Sequence, residues 1–238
     1  MAWDNQGWQV DPNAAAPGAN QVLVEESARA YMARVYRWMF GGLAITGAVA
    51  LYTATNPALL NFVYGIQWAL FVAELVLVLA LTWAAPKMSG AAAAMMFIAY
   101  AAMNGLLFSF LFIVYKLGSI GESFLLTAGV FGALSIYGTV TKKDLSAWRT
   151  FLFMGLIGVV IASVVNIFTK SGMVAWVISA AAVVVFTGLT AYDTQRLRRM
   201  ATAGAGVAAL PVNGALALYL DFINLFLSLL NLFGGRRN

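Results

Sequence analysis

The chain contains neither cysteine nor histidine among its 238 residues. Without cysteine it can form no disulfide, thiolate metal site or cysteine nucleophile. Without histidine it lacks the commonest metal ligand, the usual general base and the usual charge switch near neutral pH. A response to pH would therefore have to come from carboxyl groups in unusual surroundings. No HExxH pattern and no GxxxxGK[ST] phosphate loop occurs either, so we expect no enzyme and no tightly held cofactor.

Charged residues are also scarce. They make up 10% of the chain, whereas 62% is hydrophobic and the mean hydropathy is +0.85. Soluble domains carry about a quarter charged residues, so this is the composition of a membrane protein. Seven apolar runs have about the 20 residues that cross a bilayer. They cover residues 35–55, 62–85, 91–115, 123–140, 148–168, 173–192 and 215–233. We predict an all-α polytopic fold, because open strands would leave backbone groups unpaired in lipid.

The first residues differ from the rest of the chain. Residues 1–21 contain two aspartates and two prolines but no apolar stretch, which argues against a cleaved signal peptide. We expect a disordered cytoplasmic tail over residues 1–27. One transmembrane domain of seven helices should follow over residues 28–238.

The basic residues indicate an orientation. With seven crossings and the N-terminus in the cytoplasm, ten of the fourteen Lys and Arg residues fall inside and four outside. This asymmetry follows the positive-inside rule, which explains the basic pI without nucleic acid. If the last segment looped back, the division would be twelve to two. A re-entrant last segment is therefore an alternative to a seventh crossing.

Asp221 stands out because it lies in the last apolar run with no basic residue close to it in sequence. An aspartate at membrane depth costs about 2.5–3.5 kcal/mol on insertion scales, which makes it a functional-site hypothesis. Asn224, Ser228 and Asn231 fall within about 80° of it on a helix. This polar stripe predicts either hydrogen bonding between helices or the lining of an ion path.

Asp193 closes the sixth run, three residues before Arg196. One interpretation is a simple ion pair between these two side chains. Alternatively, Asp193 meets Asp221, which follows the start of the seventh run by about six residues, or roughly 9 Å of helix. Two adjacent carboxyl groups would share a proton or bind a hard cation such as Ca²⁺. Such a pair would sense pH without histidine.

A third acid, Glu74, lies within the second run. It is either a protonated packing residue or a step along a cation path. The two aspartates on neighbouring segments also allow an intramembrane protease, although their sequence context differs from the motifs of such enzymes.

Two sequence motifs surround the aspartates: FTGLTAYDTQRL at residues 186–197 and ALYLDFINLFLSLL at residues 217–230. Together they resemble the signature of the transmembrane Bax inhibitor motif family, also called the Bax inhibitor-1 or YccA-like family. The resemblance is strongest to its bacterial YccA/YbhL-like members. MARVYRWMFGGLAITG and TAGVFGALSIYGTVTKKDLS support it.

The resemblance implies a seven-helix bundle in the bacterial inner membrane with the last helix near its centre. It also implies a pH-sensitive calcium leak channel gated by Asp193 and Asp221, which would bind Ca²⁺ as cargo. Some members latch these aspartates with a basic residue of an early helix, but the second run here has Glu74 and no Lys or Arg. Arg196 or an arginine near the N-terminus would have to substitute for that latch.

The same resemblance suggests a rival function. YccA-like members resemble modulators of a membrane-bound ATP-dependent protease, which would bind through the N-terminal tail. A general regulator of stress or cell death is a related alternative. In either case we expect a monomer whose partners are the bilayer, protons and calcium ions.

Overall fold

The structure, a computed structural model, describes residues 19–84, 88–203 and 211–237. These residues form eight α-helices and a short 3₁₀ helix, Leu145–Trp148. The α-helices are α1 (Ala19–Thr55), α2 (Pro57–Ala84), α3 (Gly90–Phe108), α4 (Leu111–Val114), α5 (Leu117–Val140), α6 (Arg149–Thr169), α7 (Gly172–Thr202) and α8 (Pro211–Phe233). Because α3 and α4 together form one span, the described residues provide seven segments long and apolar enough to cross a membrane. The predicted fold class is confirmed.

The last helix, α8, is the most buried of the seven spans. In its most apolar stretch of 18 residues, 61% of the residues are buried, against 33% or less in the corresponding stretch of every other span. It packs against α1, α3, α5 and α7. The central position stays a prediction, and this burial favours it.

Two glycines let helices approach closely. A Cβ atom at Gly105 on α3 would lie 2.7 Å from the backbone oxygen of Thr46 on α1. One at Gly138 on α5 would collide with the backbone oxygen of Ala191 on α7. Small residues commonly allow this contact between helices in lipid, where van der Waals packing replaces the hydrophobic effect.

Several helices extend beyond the predicted runs. The helix α1 begins at Ala19, so the prediction of disorder is wrong for residues 19–27, while residues 1–18 lie outside the described part. The helix α7 continues to Thr202, ten residues beyond the predicted end of its run. Hydropathy detects the lipid-crossing part of a helix, whereas Glu, Arg, Gln and Ala extend these helices through strong intrinsic propensity.

The last segment crosses the bundle. Near its start, Gly214 lies against Leu197, late in α7; near its end, Asn231 hydrogen-bonds to Ser179, early in α7. The two helices are therefore antiparallel. An unbroken helix of 23 residues spans roughly 34 Å, enough for a hydrocarbon core of about 30 Å. The structure contradicts the re-entrant alternative.

Candidate functional site

The helix α8 buries Asp221 in an apolar environment. The residue is 4% exposed, and its Oδ2 atom has no hydrogen-bond partner among the described residues. Its helical neighbours Leu218, Phe222 and Leu225 are buried hydrophobic side chains, so nothing local can compensate a charge. A buried carboxylate without a partner carries its full desolvation cost.

Asp193 on α7 has a different environment. Its side chain is 14% exposed, and its Oδ1 atom lies 3.5 Å from Nη1 of Arg196, whose side chain is 55% exposed. The guanidinium of Arg149, at the start of α6, also interacts with it electrostatically. The predicted ion pair with Arg196 is therefore present, and Arg149 adds a second positive charge near Asp193.

The two aspartates lie on helices that pack directly on each other, α7 and α8, and each carboxyl group is within electrostatic reach of the other. Their environments are asymmetric, since Asp193 has cationic neighbours while Asp221 has Asp193 as its charged neighbour. Two ionised carboxylates in such a place would repel each other with little screening.

The polar stripe on α8 divides into two parts. Asn224 and Ser228 donate to backbone oxygens of α8 itself, at 2.8 and 2.6 Å. Asn231 joins different helices, because its amide donates to Ser179 Oγ at 2.7 Å and its carbonyl accepts from Tyr115 Oη at 3.3 Å. The far end of the stripe therefore holds helices together, whereas at its other end Oδ2 of Asp221 has no hydrogen-bond partner among the described residues.

Glu74 belongs to a separate polar cluster. The half-buried Glu74 of α2 is within electrostatic reach of Tyr100 on α3 and Tyr219 on α8, whose rings lie 5.9 Å apart. The amide of Asn104 on α3 donates to Tyr100 O at 3.3 Å. The hydroxyl groups of Tyr219 and Thr46 are hydrogen-bonded at 2.7 Å. The cluster thus links α1, α2, α3 and α8. Sequence reasoning missed its tyrosines, although Tyr219 stands only two residues before Asp221.

A group of ion pairs fixes the end of α7 beyond Asp193. Arg198 pairs with Glu25 of α1 at 2.8 Å, and Arg199 pairs with Asp144 at 2.6 Å. Gln195 donates to and accepts from the backbone of the α5–α6 link. We call these five residues the α7 clamp. Sequence reasoning missed it because its partners lie 50 or more residues away along the chain.

Outside the spans, the clamp changes the acidity of Asp144. The Ser146 backbone N–H and hydroxyl, together with the Arg199 guanidinium, hold the pKa of Asp144 below its ordinary value. The Oδ1 atom accepts from Ser146 N at 2.9 Å and caps the 3₁₀ helix before α6. Asp144 therefore stays charged at neutral pH and keeps its pairing with Arg199.

The aspartate pair is too small for a permanent calcium site. No group of three or more Asp, Glu, His or Cys residues within the described ranges could hold a metal ion. Two carboxylates provide four oxygens, whereas Ca²⁺ takes six to eight. The two aspartates by themselves therefore supply fewer oxygens than a calcium site requires.

Comparison with known proteins places the chain in a family. Residues 28–238 match the family described as inhibitor of apoptosis-promoting Bax1. The chain belongs to this family. It is 45% identical over 215 residues to the inner membrane protein YbhL of Escherichia coli (strain K12), covering 87% of this chain and 92% of YbhL.

Other members show how widely the similarity extends. An uncharacterised protein of Deinococcus radiodurans is 45% identical over 214 residues, covering 89% of this chain and 93% of the relative. A protein of Rickettsia prowazekii is 37% identical over 219 residues, covering 90% and 93%. Family membership and the seven apolar helices agree that this is a membrane protein of the Bax inhibitor family, similar to YbhL.

Proposed function

We propose that the protein is a passive, pH-sensitive cation leak of the bacterial inner membrane, with Ca²⁺ as the expected cargo. The observation that carries this proposal is the environment of Asp221. It is buried, it has an oxygen without a partner in the described part of the chain, and Asp193 is its charged neighbour. Among those residues, neither a structural ion pair nor a hydrogen-bond network explains an acid in that position.

The proposed gate follows from the cost of charge in lipid. The surrounding apolar side chains do not compensate the negative charge of Asp221. Its carboxyl group must therefore be protonated, bind a cation or be hydrated. Protons and cations therefore compete for the same oxygens. Because α7 and α8 pack directly on each other, we expect a change of charge at the pair to alter their packing and to open or close the path.

Neighbouring groups have supporting roles in this proposal. Arg196 is the exposed partner that holds Asp193 when the path is closed, in place of a basic residue on α2. Asn224, Ser228 and Glu74 offer polar groups to a moving ion, and Asn231 anchors the far end of α8. With the N-terminus in the cytoplasm, the aspartates lie nearer the cytoplasmic side. The protein acts as a monomer and without chemical catalysis.

Ion flux from liposomes tests the proposal. The purified protein is reconstituted around a Ca²⁺-sensitive dye, and the flux is followed from roughly pH 5 to pH 8. We expect flux that changes with pH in the wild type and is insensitive to pH in D221N and in the double variant D193N/D221N. The matched control is E122Q, which neutralises an exposed acid near the start of α5.

The rival function gives a different result. A modulator of a membrane-bound protease would show the same flux, or none, in the wild type and the double variant. Deleting residues 1–21 would then abolish its effect on the protease and leave ion flux unchanged. Equal pH dependence in the wild type and D193N/D221N would rule out the aspartate gate.

A further inference from the structure

At the end of the bundle opposite the α7 clamp, the residues after α8 pair with the link between α4 and α5. Lys116 N donates to Gly235 O at 3.0 Å, and Arg237 N donates to Val114 O at 2.9 Å. The N–H of Gly235 also donates to the hydroxyl oxygen of Ser119, at 3.0 Å. This short antiparallel contact fixes the backbone of two basic residues, with Lys116 opposite Gly235 and Arg237 opposite Val114.

The same two residues line a cavity of about 850 Å³. Its other walls include Leu51 near the end of α1, Phe112 of α4 and Leu117 at the start of α5. The volume lies within the 300–1,000 Å³ typical of ligand sites. Apolar walls with a few basic groups describe a site for an amphipathic anion.

Three charge features favour an anion in this cavity. Arg237 donates through Nη1 to Phe112 O at 2.8 Å, which holds the guanidinium at the wall and leaves its other N–H groups for a ligand. Lys116 is the residue that precedes α5, and no side chain caps that helix, so its positive dipole end is available. Within the described part of the chain, no carboxylate lies within 4.0 Å of either cation.

The position of the cavity identifies the type of anion. It lies where α1 ends and α5 begins, at the ends of membrane-spanning helices, where lipid headgroups are located. Leu51 is 50% exposed and Leu117 is 67% exposed, so the apolar wall continues outward into the acyl-chain region. A free anion would gain nothing from these walls, whereas a phospholipid would contact them with its chains.

We propose that this cavity binds an anionic phospholipid, with the phosphate between Lys116 and Arg237 and an acyl chain along Leu51 and Leu117. The site lies on α1, α4, α5 and the C-terminal segment, so it does not depend on the aspartate pair.

Lipid retention measured by native mass spectrometry tests the proposal. The full-length protein is extracted from bilayers of equal phosphatidylglycerol and phosphatidylcholine, and the lipids that remain bound are counted. We expect the wild type to retain phosphatidylglycerol in preference to phosphatidylcholine and K116Q/R237Q to lose that preference. The matched control, K142Q/K170Q, removes two exposed positive charges elsewhere and should retain the wild-type preference.

A second variant separates lipid binding from loss of the C-terminal contact. A54W fills the cavity from α1 while keeping both cations, since Ala54 is one of its lining residues. We expect it to reduce phosphatidylglycerol retention as well. Unchanged retention in A54W, or in K116Q/R237Q, would overturn the proposal.

The source of the phosphate is tested by thermal unfolding in bilayers of phosphatidylcholine alone. Added phosphatidylglycerol should raise the melting temperature of the wild type, whereas added inorganic phosphate should not. If inorganic phosphate stabilised the protein as much as phosphatidylglycerol does, the site would be one for a free anion, and the lipid proposal would be wrong.

Discussion

The helices α6 and α8 are similar in length but opposite in environment. The span that contains α6 has a mean hydropathy of 2.5 in its most apolar window, of which 6% is buried. The span formed by α8 is less apolar, at 1.8, yet 61% of its window is buried. In water the more hydrophobic helix would be the one inside. In lipid the order is reversed, because apolar side chains are already well solvated and polar ones need protein partners.

This difference indicates where the protein depends on specific contacts. On α8 the buried side chains meet other helices, so shape and hydrogen bonding matter. On α6 most side chains meet acyl chains, which adapt to any apolar shape. Substitutions of the same type should therefore have unequal effects on the two helices.

The largest expected difference concerns buried leucine. Leu225 of α8 is fully buried and packs in a cluster with Ala182, Phe186 and Leu229. L225A should lower the free energy of unfolding by about 2 kcal/mol, because it leaves a cavity between helices. I161A on α6, where the residue is 59% exposed, should change it by less than about 0.5 kcal/mol. Unfolding in mixed micelles measures both, and equal losses would contradict the comparison.

The next difference concerns polar side chains. N231A should cost about 0.6–1.7 kcal/mol, because Asn231 connects α8 to Ser179 and Tyr115. S163A on α6 should be nearly neutral, since Ser163 donates to Val159 O of its own helix. The same unfolding assay compares them. A larger loss for S163A would show that α6 makes contacts beyond those described.

The smallest expected effect concerns the charged contact that ties the start of α6 to α7. D144N should lower the melting temperature slightly at neutral pH, because it removes the charge that Arg199 and Ser146 N–H stabilise. Because the pKa of Asp144 is lower in the folded protein, its contribution is complete above the unfolded pKa. It is lost as the pH falls through the folded value.

Melting temperatures measured at several pH values check this prediction. The wild type and D144N should differ at neutral pH and converge in strong acid. E26Q is the control, since Glu26 is an exposed acid at the same end that forms no salt bridge with any described residue. A difference between the wild type and D144N that grows on acidification would contradict the assigned sign.

Sequence reasoning located the spans because hydropathy and length are local properties. It also selected Asp221 and Asp193, since acids in apolar runs are conspicuous, and it anticipated the pairing of Asp193 with Arg196 three residues later. It misjudged the ends of α1 and α7, where polar residues continue a helix beyond its apolar part. It also left a re-entrant last segment open, which the antiparallel packing of α7 and α8 contradicts.

The contacts that sequence reasoning missed are those between distant residues. The pair of Arg198 with Glu25 joins positions 173 residues apart, and the bond between Thr46 and Tyr219 has the same separation. The spacing of residues within one helix cannot reveal such a pairing. It depends on which helices become neighbours.

The sequence by itself determined that this protein is a helical membrane protein of seven spans with three acids in apolar surroundings. That conclusion needs only the cost of unpaired backbone groups and charges in lipid. Only the tertiary structure decided that Arg149 of α6 approaches Asp193 while Asp221, among the described residues, has no cationic neighbour, and that Lys116 and Arg237 line one apolar cavity. Neighbouring helices supply those partners, and their arrangement follows from packing over the whole bundle rather than from the spacing of residues within one helix.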